Sequence, residues 1–341
     1  MLLLAVTLFV PGCLPKSSDC KLPDVFCVGL VTDVGRRDDH AYNQAAWDGI
    51  QQARTSGVAT WVASIETVDA RDYEENINVF AQAGYDVIVT VGSAMGDATR
   101  AAAKANPGSY FIGVDQDQST NQDFSPNLTG LVFAEDQIGF LAGALAAFMS
   151  KTGQVSALCA SDALPAMKRY GEGFIGGAAY INPQVKATVI YHNDVGLDKT
   201  LDDPEWGASE ANTLVDAGTD IIFGVGGATG SNALVAAVSR GAYAIGADTD
   251  QYYAFPVAAP HLYVSVLKAI TPGIADLVKK ARDAQGGTSV FPSGNFDGQV
   301  ILSPYHDLDS SVPDEVKSRM TGLNQALLSG ETKTGVSLTN P

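Results

Sequence analysis

The chain is short of basic residues. It carries 21 Lys and Arg against 38 Asp and Glu, a formal net charge of −17. Binding phosphates requires a basic face, so no nucleic-acid partner is expected. Histidine and cysteine are scarce, with four of each; His40, His192, His261 and His306 are scattered, and no cysteine pair has the CxxC spacing of a zinc or redox site. Neither a metal nor a cofactor is expected. The GxSxG, HExxH and GxxxxGKS/T signatures are absent, which removes three familiar enzyme signatures. Charged residues make up only 17% of the chain and hydrophobic ones 46%, which excludes a disordered polypeptide.

Long apolar runs are lacking at the N-terminus as well. Leu2–Val10 has nine residues, too few to span a bilayer yet enough for the core of an export signal. Gly12 followed by Cys13 has the form of a bacterial lipoprotein processing site, in which the cysteine becomes the lipidated first residue. Pro11 in place of a small residue, and the want of a Lys or Arg before the run, depart from that form. Residues 1–23 are expected to be a signal, a lipid anchor at Cys13 and a tether, which puts the protein on the outer face of the cell membrane. Cys20 and Cys27 suit either a small disulfide in an oxidising compartment or two free thiols. Cys159 is expected to be a buried small hydrophobe.

What the chain does have is a repeat. Residues 83–118 read AGYDVIVTVGSAMGDATRAAAKANPGSYFIGVDQDQ, and residues 217–251 read AGTDIIFGVGGATGSNALVAAVSRGAYAIGADTDQ. Ten of the first 21 aligned positions are identical, as are five of the closing seven. Each copy opens on a β-branched run, Val87–Val91 or Ile221–Val225, suited to a strand buried on both faces. A Gly-rich turn, an Ala-rich helix and a second strand ending in Asp115 or Asp248 follow. Parallel strands need helical crossovers, so the pattern predicts an α/β fold of two doubly wound parallel-sheet lobes. Ligands of open α/β sheets sit at the carboxyl ends of the strands. If the lobes face each other, Gly92–Gly96, Asp115, Gly226–Gly230 and Asp248 line one cleft.

The remaining elements extend both lobes. Strands over Phe26–Asp33 and Val58–Ser64 and helical stretches over about His40–Ser56 and Asp72–Gln82 belong with the first copy. Glu135–Ser150 is too continuously apolar for a surface helix and is expected to cross into the second lobe. There Val155–Leu158, Met167–Ala179, Lys186–Tyr191 and Glu205–Ala217 alternate strand and helix. Val264–Arg282 suggests an amphipathic helix returning to the first lobe. The expected division is residues 24–116 with 252–285 for the N-terminal lobe and 117–251 with 286–341 for the C-terminal lobe, joined by a hinge that permits closure.

Several segments carry a family resemblance: VGLVTDVGRRDDHAYNQAAWDGI (28–50), the two IGxDxDQ heptads, YGEGFIGGA (170–178) and VSVLKAI (264–270). Together they resemble the Bmp/PnrA-like family over nearly the whole mature chain. The resemblance implies a type I periplasmic-binding-protein fold and an extracytoplasmic solute-binding lipoprotein of an ABC importer, a monomer that works with a membrane permease. Family members whose ligand is known bind mainly purine nucleosides.

Candidate ligand residues follow from side-chain chemistry and from that resemblance. Asn43 offers amide donors and an acceptor to a base edge, the role the family implies; otherwise it caps a helix. Asp33 flanks the same loop, and Asp39 either caps the helix or reaches the ligand. Asp115 and Asp248 can accept from vicinal hydroxyls, and the family holds ribose with an aspartate at the second heptad and a lysine at the position of Lys268. Gly226 and Gly227 can add backbone donors at a helix N-terminus. The family's pair of base-sandwiching aromatics is missing, with Thr32 and Leu201 in those places, which leaves Trp206 or Arg37 to cover a ring. A sensing subunit for a membrane partner and a nucleoside-processing enzyme are the alternatives; GVGGATG at 224–230 misses the dinucleotide spacing by one residue.

Overall fold

The computed structural model describes residues 19–119 and 125–337. Cys13, the expected lipidation site, lies outside the described residues. The first half of the chain runs β1 (Cys27–Val34), α1 (Tyr42–Thr55), β2 (Trp61–Thr67), α2 (Tyr73–Ala83), β3 (Val87–Val91), α3 (Gly96–Ala105), β4 (Tyr110–Val114) and β5 (Leu128–Val132). The second half opens with α4 (Glu135–Met149), β6 (Gln154–Cys159), α5 (Pro165–Ile181), β7 (Lys186–Tyr191), α6 (Leu197–Thr200) and α7 (Pro204–Asp216). It continues with β8 (Ile221–Val225), α8 (Gly227–Ser239), β9 (Tyr243–Asp248), α9 (Gln251–Ala254) and β10 (Leu262–Lys268). The chain closes with α10 (Ile270–Gln285), β11 (Gly294–Asp297), β12 (Val300–Leu302) and α11 (Asp314–Leu328).

Two sheets result, in the orders β11-β5-β4-β3-β1-β2 and β12-β10-β9-β8-β6-β7. The winding is the same in both, so the repeated stretch is the visible part of two equivalent lobes. Alternation along the strands divides each core in two. In the first lobe Val28, Leu30, Val87 and Val89 pack with Ile50 of α1 and Leu277 of α10. On the opposite face Val31, Ile88 and Phe111 pack with Ile77 and Phe80 of α2 and Met95. Every residue of β3 and β8 is buried, as strands covered by helices on both faces require. Cys20 and Cys27 form a disulfide, and Cys159 is a buried thiol.

The points at which the chain changes lobe differ from the sequence expectation. β5 pairs with β4, so the first lobe extends to Val132 and not to 116. β10 pairs with β9 in the second sheet, and β11 pairs with β5 in the first. The stretch expected to be one helix from Val264 is in fact a strand ending at Lys268 followed by α10. LYVSVLK is almost continuously buried, as a short strand covered on both faces is, and Pro272 falls in the first turn of α10, where its missing N–H costs nothing. The crossing of α4 is as expected: Ile138, Leu141 and Leu145 join the core of the second lobe. α10 makes the reciprocal crossing and packs on α1. The turn from β11 to β12 is a third crossing.

Helices α4 and α5 approach each other backbone to backbone. Gly139 and Gly143 face the carbonyls of Tyr170 and Phe174, and Gly173 and Gly177 face those of Asp136 and Phe140. A Cβ on Gly177 would lie 1.8 Å from the Phe140 oxygen, so no side chain fits without parting the helices. Gly177→Ala is expected to lower stability by about 2 kcal/mol through overpacking, measured by urea unfolding; an unchanged midpoint would show that the helix pair adapts.

Candidate functional site

The two heptad carboxylates sit on the same unusual backbone. Asp115 and Asp248, at the carboxyl ends of β4 and β9, have φ of 56° and 69°. Aspartate is one of the few side chains that tolerates this left-handed region, and its presence at both equivalent strand ends marks a duplicated turn. Between the two lies Lys268, the last residue of β10. Its Nζ donates to Asp115 Oδ2 at 2.8 Å and to Glu135 Oε1 at 3.3 Å, and stands 4.0 Å from Asp248 Oδ1. The Tyr170 hydroxyl donates to Asp248 Oδ1, and Arg169 donates to Glu135 Oε2 at 2.9 Å. Rings of Tyr42, Phe133 and Tyr170 stand 5.6, 5.7 and 5.8 Å from the ammonium, within reach of cation–π attraction.

This cluster spans the lobes, since Asp115 ends a strand of the first sheet and Lys268 and Asp248 end strands of the second. Burial works against a charge on Lys268, whose side chain is only 4% exposed, but Asp115, the phenol groups of Tyr170 and Tyr42, and Asp248 together outweigh it and hold the ammonium well above its usual pKa. Burial likewise opposes ionisation of Glu135; Lys268 and Arg169 overcome it and hold that carboxyl below its ordinary value. Asp248 goes the other way. Its desolvation exceeds the help it draws from Lys268 and Tyr170, so its pKa is raised.

A cleft of about 580 Å³ opens beside the cluster. From the first lobe His40, Gln44 and Asp48 line it; from the second come Asp248, Tyr253 and Lys268. Asp33, Asn43 and Asp115 are not among the residues that line it; Asn43 is buried, donates its Nδ2 to Asp33 Oδ1 at 2.8 Å and keeps an unpartnered Oδ1. Burial raises the Asp33 pKa, against the hydrogen bond from Asn43. Gly92, with φ 90°, backs the Asp33 carboxylate: a Cβ there would stand 3.5 Å from Asp33 Oδ2.

Other expected ligand residues have partners of their own. Asp39 accepts the backbone N–H groups of Ala41, Asn43 and Gln44 and so caps α1. The Arg37 guanidinium covers Trp47 at 4.9 Å and donates to Ser64, so it is not free to cover a ligand ring. Trp206 stacks on His192 at 4.0 Å, while Asp203 bonds both the Trp206 N–H and His192. It is not among the residues that line the cleft. The Gly226–Gly227 turn is closed against Ala160 and the Leu201 carbonyl, which also takes the Thr229 N–H. Glu135, Arg169 and Tyr170 were not expected at the site. An acid opening an otherwise apolar helix was the one available signal for Glu135; Tyr170 opens the YGEGFIGGA segment, which carried the resemblance but gave it no role, since its partner lies 78 residues away.

Two equivalent lobes, three chain crossings and a cleft at the strand ends define a two-lobed solute-binding protein. The family of ABC transporter substrate-binding proteins described as PnrA-like matches residues 26–284, and this chain belongs to it. A CD4+ T-cell-stimulating antigen of Listeria innocua is 28% identical, over 93% of this chain and 90% of that protein. The ABC transporter nucleoside-binding protein BmpA of Lactococcus lactis is 27% identical, over 76% of this chain and 77% of that one. Among solved structures, an ABC transporter solute-binding protein of Conexibacter woesei superposes with a TM-score of 0.74 at 20% identity, over 91% of this chain and 98% of the other. Family membership makes this a substrate-binding protein of an ABC transporter, with a small-molecule ligand and a permease partner, and not an enzyme.

Lys268→Met would leave three carboxylates crowded around a neutral side chain, and a loss of about 3 kcal/mol in urea unfolding is expected. Glu135 has a lowered folded pKa, so its contribution is present above the ordinary glutamate value of 4.5 and fades as pH falls through the folded one. The stability gap between the wild type and Glu135→Gln is therefore expected to narrow below pH 4.5; a constant gap would refute the charge-pair account.

Proposed function

We propose that this protein is the extracytoplasmic nucleoside receptor of an ABC importer, anchored through Cys13, that acts as a monomer and closes two lobes around one ligand. One observation carries the reading: Asp248 and Lys268, an acceptor and a donor at adjacent strand ends, line the same cleft. A ribose presents vicinal hydroxyls that donate to a carboxylate and accept from an ammonium. Across the seam, the unpartnered Asn43 Oδ1 and the Asp33 carboxylate supply acceptors for the N–H groups of a base edge. The Lactococcus relative's name points to the same ligand class.

A thermal-shift panel of nucleosides, free sugars and other small metabolites tests the reading. At a hundred times its Kd a ligand adds about 2.7 kcal/mol to stability, so at least one nucleoside is expected to raise Tm, and Asp248→Ala and Asn43→Ala are each expected to abolish the rise. A response to sugars alone, or new products on chromatography after incubation, would defeat the reading. Cys13→Ser is expected to move the protein from the membrane to the soluble fraction; unchanged partitioning would rule out the anchor.

A further inference from the structure

We propose that Tyr170 is a positioning residue for sugar recognition: its hydroxyl holds the Asp248 carboxylate apart from Lys268 and turned toward the ligand. The inference rests on the nucleoside reading above and deepens it. Asp248 Oδ1 and Lys268 Nζ stand 4.0 Å apart, beyond hydrogen-bond distance. Left alone, a carboxylate and an ammonium this close would pair and satisfy each other, and each would then offer less to a ligand. Two restraints prevent it.

On the lysine side, Asp115 and Glu135 occupy the ammonium at 2.8 and 3.3 Å. On the aspartate side, the fully buried Tyr170 donates to Oδ1. Among the described residues no donor reaches Asp248 Oδ2, which is the oxygen left for the cleft. Tyr170 is itself held. Its carbonyl lies against the bare Cα of Gly139, where a Cβ would come within 2.0 Å, and its ring packs near Phe223, centroids 6.3 Å apart. The glycine contacts between α4 and α5 thus fix the phenol, and the phenol fixes the carboxylate.

The two heptad aspartates consequently have different tasks despite equal backbone turns. Asp115 is spent on Lys268, whereas Asp248 presents one free oxygen beside a donor. That arrangement suits two neighbouring hydroxyls, one donating to Oδ2 and one accepting from Nζ. It favours a ribonucleoside over its 2′-deoxy and 3′-deoxy counterparts, and Tyr170 sets the size of the preference.

Isothermal titration calorimetry of the wild type and Tyr170→Phe with adenosine, guanosine and inosine, and with the 2′-deoxy and 3′-deoxy forms of each, tests this. Loss of the phenol hydroxyl is expected to weaken ribonucleoside binding about tenfold while changing deoxynucleoside binding less, so that the ribose-to-deoxyribose ratio falls. The ratio is taken within one variant, so a fraction of misfolded protein cancels from it. An equal loss for ribose and deoxyribose ligands would mean that Tyr170 only supports the fold, and unchanged affinities would mean that it does not restrain Asp248; either overturns the inference. A wild type that binds none of the nucleosides would instead remove the nucleoside reading, and this inference with it.

Discussion

Lys268 is an ammonium almost without access to water, and it can stay charged there because Asp115, Glu135 and Asp248 converge on it. A buried charge of this kind is tolerable only when paired and hydrogen-bonded. The carboxylates come from the end of a first-lobe strand, the first turn of the crossing helix α4 and the end of a second-lobe strand. The seam between the lobes is therefore held by electrostatics of high geometric demand. Any movement of one lobe against the other would have to rearrange these partners, two of which, Lys268 and Asp248, line the cleft.

Duplication explains why such a cluster could arise. Two copies of one lobe place two like carboxylates at facing strand ends, on the same left-handed backbone. Two negative charges facing across a gap repel unless a cation stands between them. Lys268, at the end of β10, takes that place in one copy; the equivalent strand of the other, β5, ends at Val132 with Phe133 and Ala134 beyond it and carries no lysine there. Symmetry of the backbone thus supports asymmetry of the chemistry: one aspartate holds the lysine, and the other faces the cleft. One step along the heptads the two copies act alike: Asp117 accepts from Asn295 and Asp250 bonds His306, so that each second carboxylate ties a returning C-terminal segment to its own lobe.

Much of this was legible beforehand, for identifiable reasons. Val87–Val91 and Ile221–Val225 are short, β-branched and unbroken, and a strand buried on both faces leaves that trace in composition alone. Asp115, Asp248 and Lys268 could be named because they interrupt apolar stretches. Lys268 was nonetheless expected on a helix, since its neighbours fit either period. Arg37 and Trp206 were expected at the ligand because their chemistry suits a ring; the rings they meet are Trp47 and His192 of the protein itself. A side chain able to stack does not declare its partner.

The amino-acid order alone determined that there are two like lobes, that Val87–Val91 and Ile221–Val225 are strands inside them, and that Asp115 and Asp248 stand at strand ends, because burial and backbone period act locally and leave a local pattern. Tertiary structure alone decided where the chain changes lobe, that Tyr170 and Glu135 belong to the site, and that the paired aspartates differ in partner. Those outcomes depend on distances between residues far apart in the chain, and a hydrogen bond or ion pair across a seam is set by the position of both lobes at once.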